Sequence, residues 1–317
     1  MTAFRTIVLG AGRTGLVAAL ARRRAAPDER LAVIDAMPRP GGTIATQRSN
    51  GFACELGPFA FAADELAPVL ALLERPPTPI AVREEARTGW LFDGDGAPLR
   101  PIPVDPVPQS FRSGAEELVQ ACRLELGDSL RLGRAAIAIA PAPDGVVVTL
   151  AGDPPSTITT QALVLALPVT ASARLLARFD PHLANVLQHV VHEPRAFAFF
   201  GGIAAEANEL RGYGVVPADG VDTPVAEILF CSEAFAGRAL PGRCLVRAEL
   251  VGPMPEDDAA ALAIAERELR RWTGTRAEFG FQKLYRFTIE VASGALTEVR
   301  VRVGELCARI PGLSVAR

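Results

Sequence analysis

The sequence predicts an α/β protein, with a parallel βαβ unit at its start and a second, mixed sheet further along. Three observations carry this. Apolar Ile7, Val8 and Leu9 lead into Gly10, Gly12 and Gly15, and a helical pattern follows through Leu16, Val17 and Leu20. A second apolar run, Leu31 to Ile34, ends on Asp35, twenty residues after Gly15. Beyond Thr170, strand-like runs at 196–200, 225–230 and 244–251 surround one helical stretch, and Tyr285, Phe287, Ile289 and Val291 alternate with polar residues.

The spacing Gly10-x-Gly12-x-x-Gly15 between strand and helix, with an acid closing the next strand, is the layout of a dinucleotide-binding fingerprint. Gly10 permits the tight turn, Gly12 lets the backbone approach a pyrophosphate, and Gly15 lets helix and strand pack closely. The pyrophosphate belongs at the helix N-terminus, where free N–H groups and the dipole favour an anion. Ala11, Arg13 and Thr14 join the glycines as candidate cofactor contacts. Asp35, with Ala36 beside it, is the candidate partner of the adenosine ribose hydroxyls. A βαβ unit without a ligand is the alternative, and the glycines alone do not choose between a nicotinamide and a flavin.

The residues after Asp35 do choose. D-A-M-P-R-P-G-G, from Asp35 to Gly42, resembles the acid-A-x-x-R-x-G-G signature of flavin-containing amine oxidoreductases. G-F-A-C-E-L-G-P, from Gly51 to Pro58, resembles the stretch near the flavin in that superfamily, and the nearest likeness is to protoporphyrinogen oxidases. The resemblance implies FAD as cofactor, held in a Rossmann-like domain. It places Arg39, Gly41 and Gly42 along the ribose and pyrophosphate, Gly57 and Pro58 near the flavin, and the backbone of Ala136 against the adenine. A guanidinium and two amides without side chains suit a phosphate diester. The activity implied is hydride transfer from a substrate C–H to flavin, with dioxygen as acceptor.

Composition narrows the class. The 317 residues allow two domains. Hydrophobic content is 49%, yet no unbroken run reaches the ~18 apolar residues of a membrane-spanning helix. No charged n-region and h-region precede the first strand, so a cytoplasmic location is expected. A net charge of −3 argues against nucleic acid as a partner and leaves a small-molecule substrate. The five cysteines are scattered without a C-x-x-C pair, which reads as reduced, mostly buried thiols.

Past the flavin-like segment, Asp64 is the expected cap of a helix through Leu66, Val69, Leu70 and Leu73. Residues 80–108 read as a hairpin around 93–96 and an extended proline segment. In protoporphyrinogen oxidases an Arg before the aromatic pair of this hairpin meets a substrate propionate. The aligned position here is Gly89, and Arg87, two residues away, is the candidate substrate contact. The family's long helical insertion is missing, since Pro108 leads almost directly into S-F-R-S-G-A-E-E-L. Ser113 and Glu116 then form the pattern of a capping box. The run 130–139 reads as one strand, 146–150 as another, and 162–168 as a strand covered on both faces.

His182, His189 and His192 would share one face of a helix, but nothing completes a metal site, and none is expected. The family's W-P-x-A-x-P-Q-Y motif reads F-T-I-E-V-A-S-G here, and its last Gly-rich segment has no counterpart. These differences leave two readings. One is a compact FAD-dependent oxidase, in a variant of which a partner chain completes the flavin site. The other is a non-catalytic dinucleotide-binding or partner-subunit protein. No catalytic residue can be named. The expected division assigns 1–79 and 109–169 to the cofactor domain, 80–108 and 170–294 to the substrate domain, and 295–317 to a truncated return to the cofactor domain.

Overall fold

Ile7 and Leu9 point into one apolar core and Val8 into another, as the two-residue period of a strand demands. The strand Thr2–Leu9 is therefore buried on both faces along Thr6–Leu9, in the middle of a seven-stranded sheet, one of two such sheets in the computed structural model, which describes residues 2–316. The first sheet runs, in spatial order, Ala136–Ala142, Gly145–Leu150, Ser156–Leu165, Thr2–Leu9, Leu31–Ile34 and Leu130–Arg131. Leu313–Val315 adds alongside Ser156–Leu165. Thr2–Leu9 pairs in parallel with Leu31–Ile34 on one side and Ser156–Leu165 on the other. The strand that follows it in the chain lies on one side and a strand from much later in the chain on the other, and the space beyond the carboxyl end of such a strand is where these sheets take ligands.

Helices cover both faces. Arg13–Ala25 and Glu116–Leu126 pack Leu16, Leu20, Leu118 and Cys122 on Val8 and Val33. On the other face Val169–Leu176, Pro181–Leu187 and Gly294–Arg309 pack against Ile7, Leu9 and Leu163. Helix Gly294–Arg309 presents Leu296, Val299, Val303 and Leu306 to this core, and the Ser293 side chain caps it by accepting from the Leu296 N–H at 3.2 Å.

The second sheet runs Phe281–Glu290, His192–Ile203, Arg243–Val251, Val225–Leu229, Gly214–Pro217, Thr88–Phe92 and Arg100–Pro103. It is mixed, because Gly214–Pro217 pairs in parallel with Thr88–Phe92 while the other neighbours are antiparallel. Helix Asp258–Thr273, capped by the Asp257 carboxylate and ended by Gly274 at φ +71°, covers one face. The other face packs on Phe52, Cys54 and Phe59 from the first half of the chain.

Several local expectations change. The run 130–139 is two strands at opposite edges of the first sheet, because Gly133, at φ +68°, turns the chain between them. Helix Ala63–Leu70 starts after Ala62 without a side-chain cap, and Asp64 lies in its first turn. Ser113 and Glu116 do not close a capping box. The Ser113 N–H goes to Glu117, while Glu116 exchanges bonds with Thr46. The three histidines lie on a helix, the turn after it and a strand, so they share no helical face. All five cysteines are buried and free, and burial pushes the Cys54 and Cys122 thiols up to about 12.

Candidate functional site

At the carboxyl end of Thr2–Leu9 the three fingerprint glycines are small for different reasons. Gly10 has φ +104°, and a Cβ on it would lie 2.5 Å from the Ala166 carbonyl oxygen. A Cβ on Gly15 would lie 1.9 Å from the Gly10 oxygen. Both are demands of the protein on itself. At Gly12 a Cβ would meet nothing closer than the Gly42 Cα at 4.0 Å. No protein atom requires glycine there, so the bare backbone faces room that a ligand can use. Gly42, at φ +59°, forms the opposite wall, and the Gly41 N–H holds it by donating to the Ala11 oxygen at 2.7 Å.

Helix Arg13–Ala25 begins at Gly12 with no side-chain cap and no acid in its first turn. Its leading N–H groups and dipole are thus left for an anion. Arg13 turns its side chain to Glu65, 3.5 Å away. Thr14 follows in the same turn and is exposed.

Asp35 is partly spent before any ligand arrives. Its carboxylate accepts from the Ala11 N–H at 2.6 Å and the Met37 N–H at 2.8 Å, which ties the glycine turn to the end of Leu31–Ile34. A carboxylate offers about four lone-pair sites, so capacity for a ribose hydroxyl is left. Beside it opens a cleft of about 340 Å³ whose walls include Leu9, Ile34, Ala36, Ala136 and Ala171. Arg39 also braces the site from within. Its guanidinium donates to the carbonyls of Gly42 at 2.9 Å and Ile44 at 3.1 Å, and so shapes the Gly41–Gly42 turn.

Gly57 stacks on that turn, since a Cβ there would come within 2.0 Å of the Thr43 oxygen. From here the site reaches the second sheet through residues with no motif to announce them. Arg247, 4% exposed on Arg243–Val251, donates to the Gly57 and Glu55 carbonyls at 2.8 and 3.3 Å and to Glu227 at 2.9 Å. Its guanidinium lies 4.1 Å from the centre of the Phe197 ring. Arg238 is fully buried and donates to the Phe111 carbonyl and the Ser110 hydroxyl, with the Glu55 carboxylate at 3.3 Å. Burial pushes the Glu55 pKa up, and Arg238, the Thr46 hydroxyl and the Ala115 N–H offset this only in part. Beyond Arg247, Tyr285 and Phe287 share the face, with Phe287 4.6 Å from Phe197, and Glu227 stands opposite Glu249 across two strands.

Residues 8–75 match the model of the NAD(P)-binding Rossmann-like domain. Among solved structures, a protein assigned as a protoporphyrinogen oxidase from Exiguobacterium sp. 255-15 aligns over 99% of this chain and 94% of its own, with 17% identity and a TM-score of 0.80. The two chains share one fold over nearly their whole length. A reduced UDP-galactopyranose mutase covers the whole chain and 88% of its own, with 12% identity and a TM-score of 0.76. Putrescine oxidase bound to putrescine covers 98% and 92%, with 14% identity and a TM-score of 0.72.

Within this fold, Gly10, Gly12, Gly15, Asp35, Gly41, Gly42 and Gly57 come together around one crevice, and Ala136 reaches its far end at the cleft. Arg87 stands apart. It pairs with Glu84 at 3.1 Å where the chain enters the Thr88–Phe92 strand. Arg238 and Arg247 have no signal in the sequence, because isolated arginines late in an arginine-rich chain carry no spacing. Glu55, inside G-F-A-C-E-L-G-P, was the one member of the network within a recognisable motif.

Proposed function

We propose that this chain is a flavoprotein oxidoreductase that binds FAD and oxidises a small molecule. The observation that carries the reading is Gly12. Its bare backbone faces an uncapped helix start and the Gly42 wall, a cradle that no neighbouring protein atom requires. Gly10, Ala11, Gly12, Arg13, Thr14 and Gly15 hold the pyrophosphate, with Gly41 and Gly42 opposite. Asp35 and Ala36 hold the ribose, Ala136 meets the adenine, and Gly57 and Pro58 flank the flavin end. When bound, FAD supplies the acceptor for a hydride from a substrate C–H, with dioxygen as terminal acceptor. The face carrying Tyr285, Phe287 and Arg247 belongs to the substrate, and Arg87 meets it only if the hairpin turns inward. Residues 1–79, 109–169 and 295–317 form the cofactor domain in this reading, and 80–108 with 170–294 the substrate domain.

The test is the visible spectrum of the purified protein before and after incubation with excess FAD. A bound flavin that bleaches without oxygen on adding a porphyrinogen or an amine supports the oxidase and sorts its substrates. A protein that stays colourless overturns the flavin assignment. A flavin that is retained but never reduced supports the non-catalytic dinucleotide-binding alternative.

A further inference from the structure

The cleft at the adenosine end has a feature that the fingerprint does not explain. Two arginines line it from separate segments. Arg134 precedes the Ala136–Ala142 strand, and Arg174 lies in the last turn of Val169–Leu176. Both are exposed, and among the described residues neither guanidinium has a hydrogen bond or an ion pair. The Arg134 backbone is nevertheless fixed, because its N–H donates to the Asp35 carbonyl at 2.8 Å. Between the two cations the lining is apolar, with Leu9, Ile34 and Leu167, and with Ile137 left 52% exposed.

An apolar slot with unpaired guanidinium groups at its rim suits a flat, electron-rich aromatic ring. The ring covers the exposed aliphatic surface, and a guanidinium plane stacks on its π-face at little desolvation cost. A phosphate would be the other natural partner of two arginines. The apolar lining between the arginines favours a ring, which it can cover, over a phosphate, which it would desolvate.

We propose that Arg134 and Arg174 clamp the adenine base by stacking, and so make the site select a dinucleotide flavin over the mononucleotide. This rests on the flavin reading above and adds to it the residues that recognise the base. Both side chains are exposed, so their replacement leaves the fold intact, which a thermal melt verifies.

The experiment is a fluorescence titration of FAD and of FMN, with ADP as competitor, against the parent and the variants R134A, R174A and R174K. Stacking predicts that each alanine variant loses about tenfold in affinity for FAD and for ADP, with FMN unchanged. It also predicts that R174K resembles R174A, because lysine keeps the charge and lacks the plane. FAD affinity unchanged in both alanine variants overturns the clamp. Full rescue by R174K overturns stacking in favour of simple charge attraction, as does an equal loss for FMN. NADP⁺ competing better than NAD⁺, with the preference erased in the same variants, overturns it in favour of phosphate recognition. A parent that binds ADP but neither flavin sinks the flavin reading alone, and the ADP series then still decides the clamp.

Discussion

The crevice at the glycine turn and the junction beneath the second sheet are built on opposite principles. The first is backbone. Gly10, Gly12, Gly15, Gly41 and Gly42 set its contour, and the side chains nearby, Asp35 and Arg39, serve mainly to hold main-chain groups in place. The second is side chain. Glu55 meets Arg238 and Arg247 from far along the chain in a buried, aromatic setting, with Arg238 beside its carboxylate and Arg247 on its carbonyl. A contour made of backbone tolerates an added side chain only where it faces open room. A junction made of buried charge tolerates no single loss.

The largest effect is therefore expected at Arg238. Replacing it by Met strands the Glu55 carboxylate, already raised by burial, without its cation. Breaking a buried pair in this way costs roughly 3–5 kcal/mol. Urea unfolding of Arg238→Met should show that loss, and the double variant with Glu55→Gln should recover part of it. If the single and double variants are equally unstable, the network is not coupled as described.

The glycines sharpen the contrast at smaller scale. Gly15→Ala drives a methyl into the Gly10 carbonyl and should cost about 1–3 kcal/mol of stability. Gly12→Ala meets no protein atom within 4.0 Å, and its stability should change by no more than about 0.5 kcal/mol. Flavin affinity should order the pair the other way, with Gly12→Ala losing about tenfold or more. Thermal melts beside FAD titrations separate the two. A Gly12→Ala protein that binds FAD like the parent would remove the pyrophosphate from this turn.

The smallest effect lies at the strand pair where Glu227 faces Glu249. Burial and then Glu227 push the Glu249 pKa up. An acid raised in the folded state contributes stability that is fully present below its unfolded value, about 4.3, and is lost as pH rises through the folded value. Glu249→Gln should flatten that part of the stability profile by roughly 1 kcal/mol or less, since water screens a half-buried pair. Urea midpoints across the acid-to-neutral range measure it, and an unchanged slope would mean that Glu249 titrates as if unfolded.

The same contrast explains what could be read in advance. Gly10 to Gly42 was legible because its parts are contiguous and each residue type has one geometric reason to be there. The central strand and its helix followed from apolar periodicity. The strand break at Gly133 was hidden inside an unbroken run of good strand formers. Helix Gly294–Arg309 carries a signal, with Leu296, Val299, Val303 and Leu306 spaced as a helix face. Ser113 and Glu116 had the right spacing for a cap, but Thr46 and Glu117, brought in by the fold, compete for their groups. Arg238 and Arg247 gain their meaning only once Phe52–Glu55 lies against the second sheet, and no local pattern encodes that.

One consequence follows from the bond between Asp35 and the Ala11 amide, together with the grip of Arg39 on Gly42 and Ile44. These contacts rigidify the turn when the chain folds, so a ligand meets a finished mould. The conformational entropy of ordering it is met during folding, and association keeps more of its contact energy as affinity. A variant that loosened this bracing, such as Arg39→Met, would weaken binding while leaving the glycine backbone of the cradle in place.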